Sequence, residues 1–276
     1  MDKIIDILDS IAYEKGLKIT DVENALKEAL IKTAQKMVDF SLVFDAEIDK
    51  ENKELKLFQK IEVVPARVNL KLFDWKQYEK VNLHKDLNIG VEKKIFIFVG
   101  RLVEGKGVKY LIKALNNIKK EEYHLLIIGD GDEKNNLQHL VNRLELQDEI
   151  SFLGKIEFRK IPYYFAGANF FIFPTLNEGF GRVVLESMAM KTLVIASRVG
   201  GIQDIIKDKE TGFFTKTANS NDIEKTIKKV LNMKSDDADY IIENSYKTVI
   251  KHYEFNVVMN DFIKLYDGVI HDYENS

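Results

Sequence analysis

The sequence of 276 residues contains no cysteine, and it has only five histidines, three prolines and one tryptophan. Without cysteine there can be no disulfide framework, no thiolate nucleophile and no cysteine-ligated zinc. The histidines are scattered rather than paired at the spacing of metal ligands. These absences exclude disulfide and metal scaffolds and favour a reducing compartment.

Long apolar runs and an excess of positive charge are absent as well. No uninterrupted stretch approaches the roughly 20 apolar residues that a helix needs to span a bilayer. The 41 Lys and Arg residues face 44 Asp and Glu residues, a net charge of −3, so no basic excess favours direct nucleic-acid binding. Acidic residues interrupt the first apolar stretch, which argues against a signal peptide. We therefore expect no stable membrane insertion and a cytoplasmic location.

The first 64 residues follow an α+β pattern. Apolar residues recur at helical spacing over Asp2–Lys15 and again over Thr20–Val38, which opens with a capping box. Two alternating runs, Val43–Ile48 and Leu55–Val64, flank a polar turn. The pattern predicts two helices followed by an antiparallel hairpin.

Three runs in this region resemble the start of the N-terminal domain of the bacterial transcription factor NusA: Ile11–Leu17, Ala25–Leu30 and Glu47–Val64. In that family the domain binds RNA polymerase, so the resemblance implies RNA polymerase as a partner of residues 1–64. It covers about half of the domain. Nothing downstream resembles the family's RNA-binding S1 and KH modules, and the GXXG loop of a KH domain is missing.

Beyond a charged connecting segment, Asp74–Glu92, the pattern changes to alternating strands and helices. The strand-like apolar runs are Ile95–Val99, His124–Ile128, Ile150–Leu153, Phe170–Phe173 and Leu193–Ala196. The amphipathic helices between them include Val108–Ile118 and Leu137–Leu146. Continuous apolar strands that alternate with helices predict a doubly wound parallel α/β sheet, with ligands beyond the carboxyl ends of the strands. We assign residues 1–64 to an N-terminal segment, 65–92 to a linker and 93–276 to this α/β domain.

The segment Gly100–Gly107 follows the first strand of this domain and comes close to the phosphate-loop pattern GxxxxGK[ST]. Its last position is glycine, so the hydroxyl that would hold Mg²⁺ in a nucleotide hydrolase is absent. Arg101 and Lys106 beside a helix N-terminus still suit a diphosphate. The alternative is that Gly105 and Gly107 only turn the chain and that both cations are solvated.

Asp130 and Asp132 follow the second strand at the spacing of the Asp-x-Asp pair of metal-dependent glycosyltransferases. Aspartate and glycine after a buried strand are also the ordinary residues of a turn that enters a helix. We favour the turn and expect no metal.

The most specific segment runs from Phe173 to Ala189 and contains two glutamates, Glu178 and Glu186, around the run Gly179–Gly181. If a helix begins near Gly181, Glu178 lies in the loop before it and Glu186 lies about one and a half turns inside. Both carboxylates can then face one mouth and accept hydrogen bonds from a ribose and a sugar. The glycines allow a phosphate to approach the helix N-terminus.

Residues 63–270 resemble the C-terminal, nucleotide-sugar-binding half of a retaining GT-B glycosyltransferase of the glycosyltransferase group 1 class. The segments that carry the resemblance are Phe98–Leu102 with Lys106 and Gly107, Ile127–Gly131, Ile150–Gly154, Phe173–Ala189, and Val194–Ile202 with Gly212 and Phe213. They occur in the order of the family.

The resemblance also implies roles for individual residues. Arg101 and Lys106 would hold the donor diphosphate, and Glu186 would hold the ribose. The implied sugar contacts are Glu178, which is also the catalytic candidate, with Gly179, Phe180 and Gly181. The backbone near Gly154 and Lys155 would meet the base. The donor is a nucleotide-diphospho-sugar, and neither a cofactor nor a metal is expected, because cations and helix dipoles take the place of the metal.

The sequence departs from the family in two places. The N-terminal Rossmann-like domain that supplies the acceptor site in the family is missing, and the NusA-like segment occupies its place. The family's linker motif Pro-Asn-Gly-Val-Asp is replaced by Pro65-Ala-Arg-Val-Asn69.

Three interpretations follow: a donor-binding domain whose turnover alone is doubtful, an RNA-polymerase-binding module that carries an inactive α/β domain, and a chimaera with neither activity. Apolar faces in residues 1–64 also allow a homo-oligomer. The base, the sugar and the acceptor cannot be read from the sequence.

Overall fold

The computed structural model of the chain describes residues 11–37, 43–49, 54–60 and 67–260. The chain divides into two compact units, Met1–Val64 and Pro65–Ser276. In the described ranges, no helix combines the length and the apolar character needed to cross a membrane.

The first unit contains a long helix and a hairpin. Residues 11–15 are helical, and helix α1 spans Ile19–Met37. Strand β1 (Val43–Asp49) pairs with strand β2 (Glu54–Lys60) in antiparallel orientation. The predicted second helix and hairpin are confirmed over these ranges.

Part of the sequence prediction for this unit falls on other residues. The predicted first helix is confirmed over residues 11–15, and Gly16 follows it in the left-handed conformation with φ of +62°. The start of that helix, Asp2–Ser10, and the end of the predicted second strand, Ile61–Val64, lie outside the described residues.

The second unit alternates strands and helices. Its strands are β3 (Lys94–Val99), β4 (Tyr123–Ile128), β5 (Ile150–Gly154), β6 (Phe170–Phe173), β7 (Leu193–Ser197) and β8 (Phe213–Thr215). Its helices are α2 (Leu83–Asp86), α3 (Val108–Leu115), α4 (Lys134–Arg143), α5 (Ile161–Gly167), α6 (Arg182–Ala189), α7 (Ile202–Ile205), α8 (Ser220–Leu231) and α9 (Ser235–His252). All five predicted strands are confirmed to within one residue at each end. The sequence did not predict β8.

The six strands form one parallel sheet in the order β5-β4-β3-β6-β7-β8. The first strand of this sheet, β3, lies in its middle. The chain then forms β4 and β5 on one side of β3, and afterwards β6, β7 and β8 on the other side. The direction of winding therefore reverses between β3 and β6, and such a switch point opens a crevice at the carboxyl ends of the strands. The predicted doubly wound α/β fold is confirmed.

Helices cover both faces of this sheet. Helix α3 packs against α4 and α8, while α6 packs against α5 and α9. Every residue of β4, β6 and β7 is buried, as expected for strands that helices cover on both sides. This core fixes the ends of β3 and β6, from which the loops of the candidate site emerge.

Candidate functional site

A cavity of about 500 Å³ lies at the switch point of the sheet. Val99 and Gly100 at the end of β3 and Phe173 at the end of β6 line it. Its other lining residues are Lys106, Phe158, Glu178, Gly179, Phe180, Gly181, Arg182, Val183 and Glu186. The cavity therefore occupies the position at which open α/β sheets bind ligands.

Six of the nine predicted site residues line this cavity: Lys106, Glu178, Gly179, Phe180, Gly181 and Glu186. The other three do not. The Arg101 side chain is exposed in the loop after β3, Gly154 ends β5 with φ of +69°, and Lys155 follows it as an exposed residue. These three lie at the same carboxyl edge of the sheet, outside the lining of the cavity.

Lys106 and Glu178 are paired inside the cavity. Lys106 Nζ donates a hydrogen bond to Glu178 Oε2 at 2.6 Å, and the two side chains are only 18% and 19% exposed. The ammonium group also lies 5.1 Å from the centre of the Phe173 ring, within the range of a cation–π contact. The pair neutralises both charges.

The loop that carries Lys106 is fixed to the loop after β6. Leu176 N–H donates to Gly105 C=O at 2.8 Å, and Thr175 Oγ1 donates to the same carbonyl at 3.1 Å. Gly107 has φ of +66°, and a Cβ atom there would lie 2.1 Å from the Pro174 carbonyl oxygen. A side chain at this position is therefore excluded, because the two loops approach too closely.

The loop that carries Glu178 is held by the turn after β7. Gly201 N–H donates to Gly179 C=O at 3.1 Å. Gly200 has φ of +46°, and a Cβ atom there would lie 1.8 Å from the Glu178 carbonyl oxygen. Gly181, with φ of +66°, ends the loop as the N-cap of α6. Arg182 and Val183 of the first turn of this helix line the cavity, and a helix N-terminus is a suitable place for an anion.

Glu186 lies in the second turn of α6 and faces the same cavity. Burial raises the pKa of its carboxyl group from 4.5 to about 7, and the charge of Arg182 opposes this increase. Its carboxylate has no hydrogen-bond or ion-pair partner in the part of the chain that the structure describes. A half-buried carboxylate without a partner is free to accept hydrogen bonds from the hydroxyl groups of a ligand.

Phe158 and Arg182 are among the lining residues that were not predicted. Phe158 follows β5 in a short 3₁₀ turn, and its side chain is 55% exposed. Arg182 is the first residue of α6 and is also exposed. The position of Arg182 beside Gly181 could have indicated it, whereas no pattern in the sequence singles out Phe158.

The Asp130 and Asp132 pair behaves as a turn in the structure. Asp130 Oδ1 accepts a hydrogen bond from Gly131 N–H at 2.9 Å, and Asp130 Oδ2 lies 3.5 Å from Lys134 Nζ. Within the described ranges, no three side chains of the metal-binding types gather into a group. The arrangement fits the turn that the sequence favours.

Comparison with known proteins extends this picture. An uncharacterised glycosyltransferase of Methanocaldococcus jannaschii is 31% identical over 214 residues, which is 75% of this chain and 54% of that protein. The chain spans about half the length of the curated relatives it matches.

Solved structures show the same fold. Sucrose-phosphate synthase from Thermosynechococcus elongatus matches 76% of this chain and 52% of its own with a TM-score of 0.67 and 28% identity. HepE of Anabaena, solved with UDP-glucose, matches 73% of this chain and 56% of its own with a TM-score of 0.65 and 20% identity.

Two family models match the sequence. The NusA N-terminal domain matches residues 3–101, beyond the expected end near Val64. A second family model also matches residues 79–101, and within this range the structure shows β3 of the parallel sheet. The second model, glycosyl transferases group 1, matches residues 79–248, more than half of the chain. The chain therefore belongs to the glycosyl transferases group 1 family.

Proposed function

We propose that the α/β unit binds a nucleotide-diphospho-sugar, the donor for retaining glycosyl transfer, in the cavity between β3 and β6. The observation that carries this proposal is the convergence of Lys106, Glu178 and the unpartnered Glu186 around the N-terminus of α6. The helix N-terminus and Lys106 receive the diphosphate, and Glu186 accepts the ribose hydroxyls.

The sugar lies against the loop from Glu178 to Gly181 in this proposal. Breaking the bond between the sugar carbon and the diphosphate leaves negative charge on the phosphate oxygens. Lys106 and the N-terminal dipole of α6 stabilise that charge, and no metal is needed for it. Arg101 adds positive electrostatic potential from outside the cavity. Glu178 contacts the sugar near the carbon whose bond to the diphosphate breaks.

The acceptor site belongs to a domain outside the α/β unit. The chain spans about half the length of its curated relatives. We propose that it binds the donor without efficient turnover. Acceptor positioning and exclusion of water supply much of the rate in group transfer. The chain alone is therefore expected to bind the donor and to transfer the sugar poorly.

Titration calorimetry with UDP, UDP-glucose, GDP and GDP-mannose tests the donor proposal. HepE holds UDP-glucose in its crystal, which makes the uridine ligands the first choice. Glu186→Ala should weaken nucleoside diphosphate binding by about 1.5–3 kcal/mol, through two charge-assisted hydrogen bonds. Glu121→Ala, at an exposed position directly before β4 and outside the lining of the cavity, is the control. No binding of any ligand, or equal affinities for both variants, would refute the proposal.

A second candidate function concerns the first unit, which we propose docks on RNA polymerase. The match of residues 3–101 to the NusA N-terminal domain supports it. Tyr13 and Leu17 are 89% and 53% exposed and offer apolar contacts. Capture of purified bacterial RNA polymerase by the intact chain, lost in Tyr13→Ala with Leu17→Ala, is expected. Failure of both this capture and the donor titration would leave a chimaera with neither activity.

A further inference from the structure

Phe158 is a large apolar side chain that stands exposed at the rim of the donor cavity. It is 55% exposed and lines the cavity together with Glu186. Its segment, Phe158–Lys160, is a 3₁₀ turn between β5 and α5. Single exposed apolar side chains are common on protein surfaces, so the position at the cavity, rather than the exposure, is what calls for an explanation.

The ring of Phe158 packs against a buried aromatic ring. Its centroid lies 5.5 Å from that of Phe73 at an interplanar angle of 61°, an edge-on contact. Phe73 is only 1% exposed and belongs to the core. The turn is tied by a hydrogen bond from Lys160 N–H to Glu157 C=O at 2.9 Å, and Pro162 follows in the first turn of α5. The position of the Phe158 ring is therefore held by its contact with Phe73 and by the turn that carries it.

The chemistry around Phe158 limits what this surface can hold. The ring has no hydrogen-bonding group, while the neighbouring cavity residues Lys106, Glu178 and Glu186 meet charged and hydroxyl groups. In a ligand that joins a diphosphate, a ribose and a flat heterocycle, the heterocycle offers the largest flat π face for contact with an aromatic ring. Gly154 and Lys155, the predicted base contacts, do not line the cavity, whereas Phe158 does.

We propose that Phe158 is the stacking platform for the base of the nucleoside diphosphate. This proposal rests on the proposed donor function. Every nucleobase offers a π face, so the platform adds affinity without choosing among bases. Removal of the ring should weaken UDP and GDP binding alike, and base selection must then come from other groups.

Calorimetry with the intact chain separates this role from the rest of the site. Phe158→Ala should weaken binding of UDP and GDP by about five- to a hundredfold, the range of a base–aromatic stack. Inorganic pyrophosphate, which has no base, should bind both proteins equally. Phe158→Tyr should retain the affinity within about threefold. The matched control, Tyr240→Ala, removes an exposed aromatic side chain from α9 and should change nothing.

Fluorescence gives a readout that a loosened fold would not imitate. Trp75 is the single tryptophan of the chain, so Phe158→Trp adds one defined signal. UDP should quench the added signal by stacking, and pyrophosphate should not. UDP binding that is unchanged in Phe158→Ala, or equal losses for UDP and pyrophosphate, would overturn the platform and leave the donor proposal intact. No nucleotide binding by the unmodified chain would overturn both.

Discussion

Lys106 Nζ lies 2.6 Å from Glu178 Oε2, inside the cavity where a donor would place its diphosphate and its sugar. In the free chain the cation that should receive the phosphates is already neutralised by the carboxylate that should receive the sugar. A diphosphate must therefore compete with Glu178 for Lys106, and it also meets the negative charge of the carboxylate.

Removing the charge of Glu178 should consequently strengthen the binding of a plain nucleoside diphosphate. We expect Glu178→Gln to increase UDP affinity by about three- to tenfold, because Lys106 loses its internal partner. The affinity for UDP-glucose should gain less, since the sugar loses a contact. Calorimetry with the two ligands measures both effects.

A matched control exists nearby, where Lys109 Nζ of α3 lies 2.7 Å from Oε1 of the loop residue Glu104, outside the cavity. Glu104→Gln should leave both affinities unchanged. Lys106→Ala should weaken the binding of UDP far more than the binding of uridine. Arg101→Ala should weaken UDP binding less than Lys106→Ala does, and its effect should be more sensitive to salt. Weaker UDP binding in Glu178→Gln would contradict the competition.

Glu186 should make donor binding dependent on pH. Burial raises the pKa of this carboxyl group to about 7, and only the ionised form offers two full acceptors to the ribose. UDP-glucose should therefore bind about tenfold more weakly at pH 6 than at pH 8. Its diphosphate is a diester that does not titrate in this range, which makes it the ligand of choice. Glu186→Gln should remove the dependence; a slope that persists in this variant would assign it to another group.

The parts of the fold that could be predicted from the sequence are those with a regular pattern of apolar residues. Long apolar runs such as β3 and β4 are recognisable because both faces of the sheet are covered, and β8 was missed because it has only three residues. The direction of a loop side chain is set by contacts distant in sequence. For this reason the adjacent residues Arg101 and Leu102 follow one strand, yet the first is exposed and the second is buried.

The same limit applies to Gly129. The sequence marks it as a turn, but the structure gives a stronger reason: with φ of +142°, a Cβ atom would lie 1.8 Å from the Gly100 carbonyl oxygen. Such close approaches between two strand ends depend on the topology of the sheet. They become visible only when β3 and β4 are placed side by side.

Glu186 should also lower stability at neutral and alkaline pH. Its pKa in the folded chain, about 7, lies above the ordinary value of 4.5, so the folded state favours the protonated form. The stabilising contribution is complete below pH 4.5 and is lost as the pH rises through about 7. Relative to the unmodified chain, Glu186→Gln should gain in free energy of unfolding between pH 5 and pH 8. Urea unfolding at these two values measures the gain, and a constant difference would contradict it.

Gly200 should position the Glu178 loop without lining the cavity. Gly200→Ala places a methyl group against the Glu178 carbonyl oxygen in a conformation, φ of +46°, that side chains rarely adopt. We expect UDP-glucose affinity to fall by about tenfold or more, because the loop must shift. Gly105→Ala, where a Cβ atom meets nothing within 4 Å, is the control. Equal affinities in the two variants would show that the loop adapts.

The first unit should be less stable than the α/β unit. A segment of this size buries too small a fraction of its surface to be secure alone. Apolar side chains such as Tyr13 and Leu17 remain exposed in its described part. In hydrogen exchange on dilute protein, the amides of α1 should exchange much faster than those of β3, whose residues Ile95–Phe98 are completely buried. Protection of α1 that rises with protein concentration would identify self-association through these faces, whereas protection of α1 equal to that of β3 at every concentration would refute the lower stability.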